Sequence, residues 1–267
     1  VSALDFASYS ARIGWNCATA PTYETLAGIL AAHMAAIPFE NFDVLLGRGV
    51  ALDLPSLTRK LVEQRRGGYC FEQATLLAAA LEALGFELTR HTARVTLVAS
   101  RRESARTHMF LLVRLGGDEF VVDPGFGALA PRVPVPLAGT HAVAGSDTHW
   151  IARDDGYRVL YHRRGDKTTE CWVTTLDRDN LVDFEMGNYF TSTNPLSPFR
   201  NRVMLRALTS DGRVGVMNRD VTIWRGDCVE MRVLADRAAL RRLVAEHFGF
   251  DLPQIETMRV PSIPEWG

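Results

Sequence analysis

The sequence predicts an α+β protein, and three observations carry that prediction. Apolar residues recur at helical spacing through the first third of the chain. β-rich runs separated by glycine turns fill the middle. The C-terminal part mixes short strands with one capped helix, so helices and strands come in blocks rather than in alternation.

The elements follow in order. Leu26, Ile29, Leu30, His33 and Ile37 share a helical face, and Pro38 stops the run. Asp53 is placed to cap a second helix through Leu57, Leu61 and Val62, ending at Gly67-Gly68. A third helix opens near Cys70, carries Leu77, Leu81 and Leu84 on one face, and ends at Gly85. Residues 87–98 are β-rich. The runs 107–115 and 119–123 flank Gly116-Gly117, a two-residue hairpin signal. That register sets Leu115 against Asp118, Arg114 against Glu119, Val113 against Phe120 and Leu111 against Val122, so an ion pair and two apolar pairs fall into place together. A Pro-rich stretch follows, and residues 157–162 and 171–176 form another hairpin around Gly165-Asp166. Residues 184–200, with Asn194-Pro195 and Ser197-Pro198, read as an irregular linker. Beyond them are strands near 203–208, 221–224 and 229–234, then a helix from Asp236 through Leu240, Leu243, Val244 and Phe248 to Gly249.

Composition excludes several classes. Of 267 residues, 47% are hydrophobic and 23% charged, which rules out intrinsic disorder. With 30 Lys and Arg against 31 Asp and Glu, the chain has no general attraction to nucleic acid or an anionic membrane. The apolar run 25–39 is short for a membrane span and contains His33 and Pro38. The four cysteines, Cys17, Cys70, Cys171 and Cys228, form no C-x-x-C pair, which speaks against a disulfide scaffold or a sulfur-rich zinc site. Residues 1–17 show no basic start followed by an apolar run, so no signal peptide is expected. A reducing, cytoplasmic compartment is expected, where a lone cysteine stays a thiol. No metal is expected, and the sequence does not settle the oligomeric state.

Arg65-Arg66-Gly67-Gly68-Tyr69-Cys70-Phe71-Glu72 is the first segment with chemical potential. It puts a cysteine at a helix start beside two arginines, and both features favour thiolate over thiol. The alternative is a buried structural cysteine. In the Gly116-Gly117 register Asp123 lies opposite Phe110, and His108, two residues earlier, shares its face. A carboxylate can orient an imidazole, and an imidazole can take a thiol proton; the alternative is a satisfied core histidine and a turn aspartate. Gly125-x-Gly127-x-x-Ala130 matches a loose dinucleotide fingerprint, but Pro131, Pro134 and Pro136 argue against the helix that such a site needs. The glycine loop can still offer backbone N–H groups to a phosphate.

Five ordered blocks carry a resemblance: Ile37-Pro38-Phe39-Glu40-Asn41, Arg66-Gly67-Gly68-Tyr69-Cys70-Phe71-Glu72, Thr107-His108-Met109, Val122-Asp123-Pro124-Gly125-Phe126-Gly127 and Ser197-Pro198-Phe199. Together they resemble the bacterial-type arylamine N-acetyltransferases. The resemblance implies a helical bundle (1–86), a β-barrel (87–183), the linker (184–200) and an α/β lid (201–267), around a core like that of the cysteine proteases. It implies acetyl-CoA as co-substrate and arylamines, arylhydrazines or N-hydroxyarylamines as acceptors, a role in xenobiotic metabolism, and no nucleic-acid or membrane partner. By matching motifs, Cys70 is the acetyl acceptor, His108 its base and Asp123 the residue that orients His108. Phe39, Phe126 and Phe199 fall at positions resembling the aromatic substrate pocket, Gly125 and Gly127 at the coenzyme loop, and Glu40 and Arg66 at a structural ion pair. For the phenylalanines the alternative is plain core packing, and for Glu40 and Arg66 a solvated surface pair. Ala74 stands where the family commonly has asparagine, which questions a polar tie between the cysteine helix and the Glu40–Arg66 region. Pro124 replaces the more usual valine and removes one backbone N–H. A hydrolase or transamidase with the same triad, and a catalytically silent binder of aromatic compounds, are the rival readings.

Overall fold

A computed structural model describes residues 4–226 and 228–266. Helices α1 (Phe6–Ile13), α2 (Tyr23–Ala36), α3 (Phe42–Leu45), α4 (Leu54–Leu57) and α5 (Cys70–Ala83) come first. The chain continues from α4 as one wider helical turn to Glu63, and Arg65 at φ +54° breaks it before the Gly67-Gly68 pair expected to do so. Asp53 caps α4 through the Ser56 N–H (3.0 Å). Pro38 follows α2, and Gly85 (φ +81°) follows α5 in a conformation that suits glycine.

Eight strands form one antiparallel sheet: β1 (Glu87–Val95), β2 (Arg106–Leu115), β3 (Asp118–Val122), β4 (Val135–Pro136), β5 (Ala142–Ala144), β6 (Asp147–Asp154), β7 (Tyr157–Arg164) and β8 (Lys167–Thr174). Their spatial order is β4-β3-β2-β1-β8-β7-β6-β5. The sheet curls until β4 packs on β6, and Arg132 and His149 bond the Ala144 and Leu129 carbonyls across the gap (both 2.9 Å), so it is nearly a closed barrel. The β2–β3 register is the one the hairpin signal predicts, from Leu115 against Asp118 to Leu111 against Val122. The barrel interior holds Phe110, Leu112, Val121, Leu160 and Trp172. The opposite face of β2, with Met109, Leu111 and Val113, packs against α2 and α5. Alternation along one strand thus serves two cores.

Residues 184–200 are not an irregular linker. They fall largely within α6 (Leu181–Thr193) and α7 (Pro198–Asn201). The Asn180 N–H donates to Asp183 (2.7 Å) at the start of α6, and Ser197 caps α7. Asn194-Pro195 and Ser197-Pro198 therefore mark one helix end and the next helix start. Strands β9 (Met204–Thr209), β10 (Gly212–Met217), β11 (Asp220–Arg225) and β12 (Cys228–Val233) form a second sheet, ordered β12-β11-β10-β9. Helix α8 (Arg237–Phe248), capped by Asp236 and ended by Gly249 as expected, packs on it. Strands β4, β5, β6 and β10 are additions to the strands read from the sequence.

Phe39 exchanges backbone hydrogen bonds with Arg206 of β9 (2.8 and 2.9 Å), and Gly68 donates to Pro38 (3.1 Å) while accepting from Glu40 (3.2 Å). Residues 37–41 are thus a seam between the cysteine segment and the second sheet. Asn41 completes it: its side-chain N–H groups donate to the Phe199 and Arg202 carbonyls, both at 2.8 Å, and its oxygen accepts from the Met204 N–H at 2.9 Å. We expect Asn41→Ala to cost about 2–4 kcal/mol in urea unfolding, because three backbone groups lose their partner at once; a loss below 1 kcal/mol shows that the seam does not depend on this side chain.

Candidate active site

Cys70 is the first residue of α5 and is buried. The helix start is held from both sides. The Tyr69 N–H donates to Glu72 (3.0 Å), and the Gln73 amide donates to the carbonyls of Gly68 (2.8 Å) and Pro38 (3.3 Å). The Tyr69 hydroxyl donates to the Asn188 side chain, and Asn188 in turn donates to the Val50 carbonyl at 2.8 Å. A Cβ on Gly67 would lie 2.1 Å from the Pro38 oxygen, and one on Gly68 2.7 Å from a Glu72 oxygen. The glycine pair therefore permits a backbone approach that fixes where Cys70 emerges.

His108 on β2 and Asp123, just past β3, meet as the hairpin register predicts. The His108 Nε2 to Asp123 Oδ2 distance is 2.8 Å, with both side chains buried. The same carboxylate oxygen accepts from the Trp172 indole (3.0 Å), and Oδ1 accepts from the Gly125 N–H (3.3 Å). With Nε2 committed, Nδ1 is the ring nitrogen left for Cys70. Burial disfavours charge on His108, but Asp123, and then Cys70, outweigh it and lift the imidazole to about 10. The Cys70 thiol lies 3.8 Å from the Thr107 carbonyl. Burial pushes the Cys171 thiol up to about 12, so that cysteine stays protonated at neutral pH.

Gly125 packs directly on the cysteine: a Cβ there would stand 2.4 Å from Cys70 Cα. Two residues on, Gly127 (φ +61°) accepts a hydrogen bond from Arg206 through its carbonyl. Phe126, between them, lies edge-on to His108 (4.9 Å). Phe199 packs against Phe39 (6.2 Å) and Tyr69 (5.4 Å). Cys70, His108, Asp123, Phe126 and Gly125 are thus brought together, with Phe39 and Phe199 as a second aromatic group on the Tyr69 side. The space beside Phe39, Pro124 and Gly127 is about 10 Å³, room for one water at most. A larger cavity of about 270 Å³, bordered by Lys60, Arg66 and Glu72, lies behind α5 and does not reach Cys70. Among the described residues no cluster of three or more His, Cys, Asp or Glu side chains is arranged to hold a metal, and no helix is long and apolar enough to cross a membrane.

Comparison with known proteins bears on this arrangement. A family model described as N-acetyltransferase matches residues 22–257. The arylamine N-acetyltransferase of Mycolicibacterium smegmatis is 34% identical, covering 94% of this chain and 93% of its own. The arylamine N-acetyltransferase / N-hydroxyarylamine O-acetyltransferase of Salmonella typhimurium is 31% identical over 93% and 90%. The Mycobacterium marinum arylamine N-acetyltransferase solved in complex with CoA superposes with a TM-score of 0.88 at 32% identity, covering 94% of both chains. The chain belongs to the arylamine N-acetyltransferase family. It is an acyltransferase.

Within this arylamine N-acetyltransferase, Glu40 and Arg66 are not a solvated surface pair. Glu40 is fully buried and Arg66 nearly so, with 2.6 Å between them. Arg66 also reaches Asp43 (2.8 Å), and Lys60 bridges Asp43 and Glu72 (2.7 Å each). The second oxygen of Glu40 accepts from the Phe42 N–H (2.7 Å). Burial opposes charge on Lys60, but Glu72, Glu40 and Asp43 prevail and raise it above the usual lysine range. Burial raises Glu72, and Lys60 limits the rise. The polar tie that Ala74 called into question is therefore present, carried by Lys60 to Glu72 two residues earlier on α5. Pro124 does not leave the loop without a donor, since the next N–H, of Gly125, bonds Asp123.

Trp172, Lys60 and Asn188 escaped the sequence reading. Trp172 comes from β8, separated from β2 by β1, so no local spacing announces it. Lys60 sits in a turn whose helical period widens, which hides its face.

Two outcomes are expected. Lys60→Met should destabilise the fold by about 3–5 kcal/mol, because it strands buried carboxylates, and urea melts read it directly. In ¹⁵N spectra His108 should stay imidazolium through pH 8. In Asp123→Asn the partner charge is gone while burial remains, so its titration should fall by several pH units. For linkage, a raised folded pKa contributes stability that is full below the unfolded value near 6.5 and is lost as pH rises toward 10. The stability gap between parent and Asp123→Asn should therefore narrow over that window.

Proposed function

We propose that this protein transfers an acetyl group from acetyl-CoA to the nitrogen of arylamines, arylhydrazines or N-hydroxyarylamines by a ping-pong mechanism through acetyl-Cys70. The observation that carries this reading is the imidazole of His108, held through Nε2 by a saturated Asp123 and keeping Nδ1 for a cysteine at a helix start. At neutral pH the proton already resides on His108, and the Cys70 thiolate attacks the thioester carbonyl. The new S–C bond forms, the coenzyme C–S bond breaks, and the coenzyme thiolate recovers the proton from His108. The amine nitrogen then attacks acetyl-Cys70. The N–C bond forms, the Cys70 S–C bond breaks, and the proton shed by nitrogen goes to the neutral His108, which restores the starting thiolate and imidazolium.

Several features support the assignment. Asp123 orients the imidazole and stabilises its charged form, as burial of an isolated imidazolium would not allow. The Cys70 N–H, first in α5, is placed to donate to a developing oxyanion. Phe126 over His108, with Phe39 and Phe199 nearby, offers flat apolar walls to an aromatic acceptor. Arylamines are unprotonated at neutral pH and can attack, whereas alkylamines are mostly charged. The Gly125–Gly127 backbone lies against Cys70, where the acyl donor must enter. The bundle, barrel and lid regions (1–86, 87–183 and 201–267) supply Cys70, the His108–Asp123 pair and the Arg206 contact respectively.

The test is direct. Acetyl-CoA added without amine should give an enzyme heavier by one acetyl group on Cys70 and release free coenzyme, and an arylamine should then discharge it. Double-reciprocal plots should be parallel. Rapid discharge by water, indifferent to amine, would make the protein a hydrolase. Intersecting lines without an acetyl-enzyme would mean direct transfer. Asp123→Asn should lower kcat by on the order of 10³–10⁴-fold while the protein still folds; a folded and fully active variant refutes the role.

A further inference from the structure

Strand β12 is the outer strand of the second sheet and is exposed along its whole length. A proline, a lysine, a bulge or a covering element commonly blunts such an edge, and among the described residues β12 has none of these. Gly226 (φ +56°) opens the turn from β11, and Arg225 faces Cys228 across it. The closing pair of so tight a hairpin exchanges both backbone hydrogen bonds, so Cys228, Glu230 and Arg232 turn their N–H and C=O groups to β11. Those of Val229, Met231 and Val233 point away from the sheet, and no described residue bonds them. The side chains of these three are also bare, at 56, 76 and 64% exposed. On the other face Glu230 is half-exposed and touches Arg225 (3.3 Å), while the exposed Arg232 makes no ion pair among the described residues.

We propose that β12 is a self-pairing edge, on which a second copy of this chain lays its own β12 antiparallel about a two-fold axis at Met231. Backbone geometry and charge select that register together. Outward-pointing groups bond only other outward-pointing groups, so Val229, Met231 and Val233 must face members of the same set. An axis at Glu230 would oppose two glutamates, and an axis at Arg232 two arginines, both unfavourable. An axis at Met231 instead sets Glu230 of each copy opposite Arg232 of the other, once on each side of the axis, at the closer, non-hydrogen-bonded positions. Val229 then faces Val233 and Met231 faces its own counterpart, so the exposed apolar row of one copy continues into the other. The two charges on this strand therefore guard it against a shifted register, not against a second copy. One antiparallel sheet would run through both molecules. A strand edge is a modest interface, so the dimer should form and dissociate with protein concentration.

Sedimentation equilibrium of the full chain from about 1 µM to about 0.3 mM should show a reversible monomer–dimer equilibrium. Glu230→Arg and Arg232→Glu each oppose like charges across the axis, and each should weaken dimerisation on the order of tenfold or more. Mixed together, these two variants should pair with each other, since one carries two positive side chains at the edge and the other two negative. The double exchange E230R/R232E should recover the parent's dimerisation. Met231→Pro removes an outward N–H, leaves the β11 ladder whole and should also dissociate the dimer. Melting temperatures close to the parent's show that these exposed substitutions fold. A parent that stays monomeric over the whole range overturns the proposal. So does a dimer that neither reversal nor Met231→Pro weakens, which puts the contact on another surface. Reversals that dissociate the dimer yet fail to pair when mixed overturn the register and the proposal with it. Should either reversal fail to fold, the double exchange and Met231→Pro decide: a dimer kept in the first and lost in the second upholds the edge, and any other result overturns it.

Discussion

Asp123 has no exposed surface, and a carboxylate in that position is tolerable only if every lone pair that water would serve is served by the protein. Its three donors come from three places. His108 lies on β2, Trp172 on β8, and the Gly125 N–H in the loop that follows β3. Because β1 lies between β2 and β8, these groups converge only if the sheet curves and each pairing keeps its register. A one-residue slip between β2 and β3 would turn His108 outward and leave Asp123 without its main partner. The barrel is in this sense the framework that one buried charge requires, and the imidazole orientation follows from it.

The cysteine is brought to that imidazole by a different device. Two cations, Lys60 and Arg66, are shared among Glu40, Asp43 and Glu72, all at the base of α5. Glu72 does two jobs: one oxygen takes Lys60 and the other takes the Tyr69 N–H at the helix start. Residues 37–41 then transmit this position to β9 through the Phe39–Arg206 backbone pair. Helix start, charge network and second sheet are thereby coupled through a few residues, which is why motifs so far apart in the chain occur together.

Much of this was legible in the sequence. Helices α2, α5 and α8 have apolar residues at helical spacing and plain end signals, and Gly116-Gly117 leaves the β2–β3 hairpin a single comfortable register. The His108–Asp123 pair could be placed from that register alone. What escaped depends on partners remote in sequence. Trp172 reaches Asp123 across an intervening strand. Helix α6 looks irregular in sequence because its exposed face carries Leu181, Val182, Met186, Tyr189 and Phe190, which blurs the apolar period, and because two X-Pro pairs follow it.

The Gly125–Gly127 loop joins the cysteine segment to the second sheet, and each glycine meets its own requirement. Gly125 must lack a side chain, since a Cβ would meet the Cys70 backbone at 2.4 Å. Gly127 adopts a positive φ and turns its carbonyl to Arg206. One short segment therefore sets how the Cys70 backbone stands relative to Arg206 of β9, and a side chain at Gly125 or a backbone change at Gly127 would move the two apart.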